Sequence, residues 1–118
     1  MGKFQYTRHK KMWKYILENI CKEMQLNESN VYSEDTIVNI KWAFLKKEDE
    51  PALVHACYAC DYCNGDCSEC PLDIDCCMLD DSLYSRLLNA ISNGNIVNVL
   101  DFVSLIKDAK VKEGVEWE

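Results

Sequence analysis

The residues of this chain best suited to chemistry are its thiols. Seven of the eight cysteines fall in the 21 residues from Cys57 to Cys77, as Cys57, Cys60, Cys63, Cys67, Cys70, Cys76 and Cys77. Disulfides are disfavoured in a reducing cytosol, where so dense a cluster points to metal rather than to chance. Paired Cys-x-x-Cys units are the usual zinc device. A tight turn brings two thiolates to one tetrahedral ion at ~2.3 Å, and a second pair closes the shell. Cys57/Cys60 and Cys67/Cys70 form such a pair of pairs, with Cys63, Cys76 and Cys77 as alternates. A competing pattern overlaps them. Cys57, Cys60, Cys63 and Cys67 spell the C-x2-C-x2-C-x3-C run of a bacterial-type ferredoxin, an iron–sulfur ligand set. That run expects proline after its fourth cysteine, whereas Ser68 follows Cys67 and Pro71 follows Cys70. Zinc is therefore preferred. His55 reads as a packing or surface residue rather than a ligand, and Cys21 stands apart from the cluster.

An all-thiolate shell is closed, which makes the expected metal structural; catalytic zinc keeps a position open for water. The deaminase signature needs H-x-E and then P-C-x-x-C, while this chain has C-x-x-C-P and no H-x-E. It has no Gly-rich phosphate loop, no nucleophile elbow and only His9 and His55 as imidazole bases. A redox Cys-x-x-Cys needs a βαβ setting, which the pattern lacks. The expectation is a protein that is not an enzyme. Residues 48–79 carry few large aliphatics (Leu53, Val54, Leu72, Ile74, Leu79). A structural ion worth ~10–16 kcal/mol would order such a segment where burial alone does not.

The elements that must position these thiols are helical. Met12, Trp13, Ile16, Leu17, Ile20, Cys21 and Met24 draw one apolar stripe at steps of three and four, which predicts a helix over about 8–25. Ser33 is the expected N-cap of a second, over 33–47, with Ile37, Ile40, Phe44 and Leu45 inward and Glu48-Asp49-Glu50-Pro51 as its stop. A third is predicted over about 80–93, capped by Asp80 or Asp81 and ended by Asn93-Gly94, with Leu83, Tyr84, Leu87, Leu88 and Ile91 buried. Asn95 caps the fourth, over about 95–110, with Val99, Leu100, Val103 and Ile106 inward. That segment is rich in Val and Ile, so a strand competes, but its length and spacing favour helix. The expected fold is mostly α: one domain over 1–118, four helices, an irregular metal-binding insert at 52–79 and a short tail at 111–118.

Charge is distributed unevenly. The formal net charge of −7 sums a basic start and an acidic middle. Residues 1–22 hold six Lys/Arg against Glu18 alone, and Glu48 to Ser85 hold ten acids with no Lys or Arg. Four thiolates on one zinc ion add to that negative field, which repels a phosphate backbone and suits a basic protein surface. Tyr58 and Tyr62 beside these acids fit an interface, where Tyr is enriched, and fit a packed zinc loop equally well. A nucleic-acid-binding regulator is the alternative, using Arg8, His9, Lys10, Lys11 and Lys14 with Tyr6 and Trp13. A solvated helix face is the plainer account of those charges. No apolar run reaches the ~18 residues a spanning helix needs, no h-region follows the basic start, and Tyr6 stands where a myristoylation signal needs Ser or Thr. A cytoplasmic protein is expected.

His9-x-x-Met12-Trp13, Cys57-x-Ala59-Cys60-Asp61-Tyr62, Cys67-x-x-Cys70-Pro71-Leu72, Ser82-Leu83-Tyr84 and Val111-x-Glu113-Gly114 together resemble a family of small Cys-rich phage and prophage proteins without assigned function. The likeness touches most of the chain loosely, and only the C-x-A-C-[DE]-Y and C-x-x-C-P-L pieces are specific. It implies Cys57, Cys60, Cys67, Cys70 and one of Cys76 or Cys77 as the ligand set. Cys63 and the doubled Cys76-Cys77 depart from the pattern. By analogy it implies an accessory factor in the host cytoplasm that binds and inhibits a host protein: a host-takeover or anti-defence factor, an anti-CRISPR protein or a nucleic-acid mimic.

Overall fold

A computed structural model describes residues 3–26, 33–51, 53, 58–64, 69–73 and 82–118. The described residues form five helices: α1 (Tyr6–Leu26), α2 (Ser33–Lys47), α3 (Tyr58–Tyr62), α4 (Leu83–Ser92) and α5 (Ile96–Lys107). The four long helices form a ring in which α1 packs on α2 and α5, and α4 packs on α5 and α2. Each presents an apolar stripe inward, so the ring closes over one core. Ile16 and Ile20 of α1, Ile37 and Phe44 of α2, Leu87 of α4 and Val99 and Val103 of α5 are all buried there. The predicted stripe on α1 therefore holds, with Leu17, Cys21 and Met24 at its half-buried margin.

The helix ends follow local chemistry. Glu34 and Asp35 sit in the first turn of α2 and Lys46 and Lys47 in its last, each favourable to the helix dipole. α2 begins at Ser33, where the sequence predicts its start, and the cap expected of that side chain lies outside what the structure describes. Beyond Lys47 the chain makes a Schellman stop: Asp49 N donates to Lys46 O (3.3 Å) and Glu50 N to Leu45 O (2.9 Å), with Asp49 at φ 54°. The same stop closes α4, where Gly94 N donates to Ile91 O (3.1 Å) and Asn95 N to Ala90 O (3.0 Å). There Gly94 takes φ 67°, which a residue without Cβ adopts at little steric cost. Asn95 caps α5 as expected, its side chain accepting from Asn98 N at 3.2 Å. At α4 the cap is Ser82, not Asp80 or Asp81: its hydroxyl accepts from Ser85 N at 3.1 Å. The strand alternative for residues 96–107 is wrong; Val99, Val103 and Ile106 share one buried helical face.

One expectation about irregular chain is corrected. Part of the insert is helical: α3 packs on α1, with Tyr58 and Ala59 buried. The short tail at 111–118 is fastened by backbone pairing. Phe4 and Trp117 pair as a parallel bridge, through Phe4 N to Glu116 O (2.9 Å) and Glu118 N to Phe4 O (3.0 Å). Leu72 and Val111 pair as an antiparallel bridge, through Asp73 N to Lys110 O and Lys112 N to Pro71 O, both 2.7 Å. Backbone pairing of this kind satisfies polar groups that would otherwise be buried unpaired. Residues 110–118 thus tie the cysteine segment to the start of α1.

Candidate functional site: the cysteine segment and the two charged faces of α1

Of the predicted ligands, Cys60 and the alternate Cys63 lie on α3 and at its end, and Cys70 lies beside the Leu72–Val111 bridge. Cys57, Cys67, Cys76, Cys77 and His55 lie outside the described residues. Cys60 and Cys70 are half-buried against the core edge. Cys63 is buried, its thiol donating to Cys60 O at 3.6 Å. Among the described residues, Cys21, Cys60, Cys63 and Cys70 form no disulfide with one another. Among the described residues no three His, Cys, Asp or Glu side chains converge as a metal would need. Cys60 and Cys70 each supply a donor to one of the two Cys-x-x-Cys pairs, so the described part of the quartet contributes two thiols of a possible four.

The acidic side begins where α2 stops. Glu48 and Asp49 are exposed, and Glu50 turns back to pair with Arg8 Nε at 3.1 Å. Arg8 and Glu50 border a cleft of about 280 Å³ that also meets Lys3, Tyr58, Asp61 and Tyr62. Tyr58 is buried, as the packed reading expects, and its hydroxyl has no hydrogen-bond partner among the described residues. Burial, together with Glu50, pushes its pKa up; Arg8 opposes this, while Asp61 and Glu48 add to it. A neutral phenol is thereby favoured. Tyr62 is half-buried, its ring edge-on to Phe4 at 5.8 Å. These two tyrosines belong mainly to the packing between α3 and α1.

The basic helix divides by face. His9 and Trp13, expected beside the lysines, are interior: His9 is 0% exposed and Trp13 2%. His9 Nε2 donates to Ile106 O at 2.9 Å, and Nδ1 is buried without a partner among the described residues. Burial pushes the His9 pKa down from 6.5 to about 4; the bond to Ile106 opposes this, and Lys10 and Lys41 reinforce it. Phe4 and Tyr6 complete an aromatic box, the Tyr6 ring stacking on His9 at 5.9 Å. Lys41 of α2 is also buried, its ammonium 5.4 Å from the Trp13 ring and 5.3 Å from that of Tyr84.

Lys10, Lys11 and Lys14 occupy the outer face, because positions 7, 10, 11 and 14 repeat within one helical stripe. There they meet Lys107 from α5 and Trp117 in a groove of about 490 Å³. Sequence reasoning missed Lys107 and Trp117. Neither has a pattern link to α1; only the Phe4–Trp117 bridge and the packing of α5 on α1 bring them there.

Comparison with family models, curated proteins and solved structures finds no match for this chain. Among the described residues no helix is long and apolar enough to cross a membrane.

Proposed function

We propose that this protein is a non-enzymatic binding protein of phage type, acting in the host cytoplasm. Its cysteine segment is ordered by a structural zinc ion and presents an acidic surface to a basic host protein, whose activity it inhibits. The observation that carries this reading is the run from Glu48 to Ser85, with ten acids and no Lys or Arg, enclosing seven cysteines. Its support is mechanical as well. The run is anchored on the helical core by α3 against α1 and by the Leu72–Val111 bridge, so an ion between the Cys-x-x-Cys pairs would rigidify a surface already fixed at both sides. Cys57, Cys60, Cys67 and Cys70 are the assigned ligands. Cys63, turned inward onto Cys60 O, fits an iron–sulfur run less well than a zinc quartet that omits it.

Elemental analysis of protein purified without oxygen is the first test. One equivalent of zinc in a colourless protein is expected, lost in Cys60→Ser and Cys70→Ser; iron with acid-labile sulfide would replace this account with a redox one. For the partner, the wild-type chain should retain a host protein that salt elutes. A variant with Glu48→Gln, Asp49→Asn, Glu69→Gln and Asp73→Asn should not, since exposed charge governs encounter and specificity. Equal retention by both would refute the acidic interface.

A further inference from the structure

The groove between α1, α5 and Trp117 brings four ammonium groups together, with Asp108 the one acid in its lining, on a chain that is acidic overall. Lys10, Lys11 and Lys14 have no carboxylate partner among the described residues, and Lys107 has only the exposed Asp108, at 3.6 Å. Glu18, one turn further along α1, ends the basic stripe. Trp117 is 51% exposed, and its ring stands edge-on to Tyr6 at 4.9 Å. Lys10 covers the Tyr6 ring at 4.8 Å, which fixes the position of that ammonium. A solvated helix face accounts for lysines spaced three and four apart on α1. It does not account for a fourth lysine from another helix converging on the same groove, or for an indole held at its edge by backbone pairing.

We infer that this groove binds single-stranded nucleic acid, the lysines following the phosphates and Trp117 stacking an unpaired base. Charge complementarity selects a polyanion. Concavity and the aromatic edge select an unpaired strand, because duplex recognition needs an element that projects into a groove, while free bases stack on exposed rings. Arg8 is not part of the site; it faces Glu50. The groove shares no residue with the acidic surface proposed above, so the two assignments fail separately.

The test is fluorescence anisotropy of a labelled oligothymidylate with the full chain as purified. Binding should weaken about 20- to 50-fold between 50 and 200 mM salt if three or four phosphates are neutralised. The variant K10Q/K11Q/K14Q/K107Q should lose binding at least tenfold and flatten that salt dependence. Trp117→Ala should cost about tenfold with the salt dependence kept, as loss of one stacked base predicts. Lys46→Gln with Lys47→Gln, at the end of α2, should leave affinity unchanged and so exclude a net-charge effect. Circular dichroism establishes that each variant is folded. No binding at 50 mM salt, undiminished binding by the quadruple variant, or equal affinity for the duplex or for polyglutamate would overturn the assignment.

Discussion

His9 makes the stability of this fold depend on pH in a defined window. Its imidazole is enclosed by Phe4, Tyr6 and Trp13, with Nε2 bound to Ile106 O and Nδ1 facing no acceptor among the described residues. Protonation would place a cation and an unmatched N–H in that box, so the folded state holds the ring neutral and the pKa falls from 6.5 to about 4. The unfolded chain takes up the proton first. Stability is therefore full above the unfolded value, declines as pH falls through 6.5 towards 4, and levels off below. At about 1.4 kcal/mol per unit, the gap corresponds to about 3 kcal/mol in all, of which about 2 kcal/mol is lost by pH 5. Urea unfolding at pH 7 and pH 5, on the wild-type chain and on His9→Gln, isolates this contribution. The other ionisable groups are common to both proteins and cancel in the difference. The variant should be weaker at pH 7 yet lose about 2 kcal/mol less on acidification. An NMR titration of the imidazole carbons checks the same quantity without a variant. Parallel losses in the two proteins, or a His9 ring titrating near its ordinary value, would refute the reasoning.

The remaining predictions concern how the elements are held. Phe4→Ala empties a fully buried position between α1, Tyr62 and the bridge to Trp117. It should cost about 3–5 kcal/mol in urea unfolding and expose the last residues to limited proteolysis. Ser82→Ala removes the oxygen that caps α4 and should cost about 1 kcal/mol, with Asp80→Ala and Asp81→Ala leaving that cap intact.

The apolar stripes, the Asn93-Gly94 stop and the Asn95 cap were legible because each is a local pattern: a period of 3.6 or a residue type at a helix end. The cap on α4 is ambiguous by one or two places in the sequence because Asp80, Asp81 and Ser82 are all suitable, and only the position of α4 selects Ser82. The helical turn over Tyr58–Tyr62 is too short to leave a periodic signal. His9 and Trp13 looked like members of a basic patch because charge was counted along the chain. On a helix, neighbours in sequence point in directions about 100° apart, so the same stretch supplies Arg8 to the acidic side, His9 to the core and Lys10 to the groove.

By itself, then, the sequence determined that four amphipathic helices flank a thiol-rich acidic segment, since hydrophobic periodicity, caps and composition act over a few residues. Tertiary structure alone decided which charges meet. Phe4 pairing with Trp117, and α5 lying along α1, join Lys107 and Trp117 to lysines some hundred residues away, and they turn His9 into a buried base bound to Ile106. The cause is the core itself: once one face of α1 is committed to apolar burial, its remaining directions are fixed, and distant residues are sorted onto them by packing rather than by sequence distance.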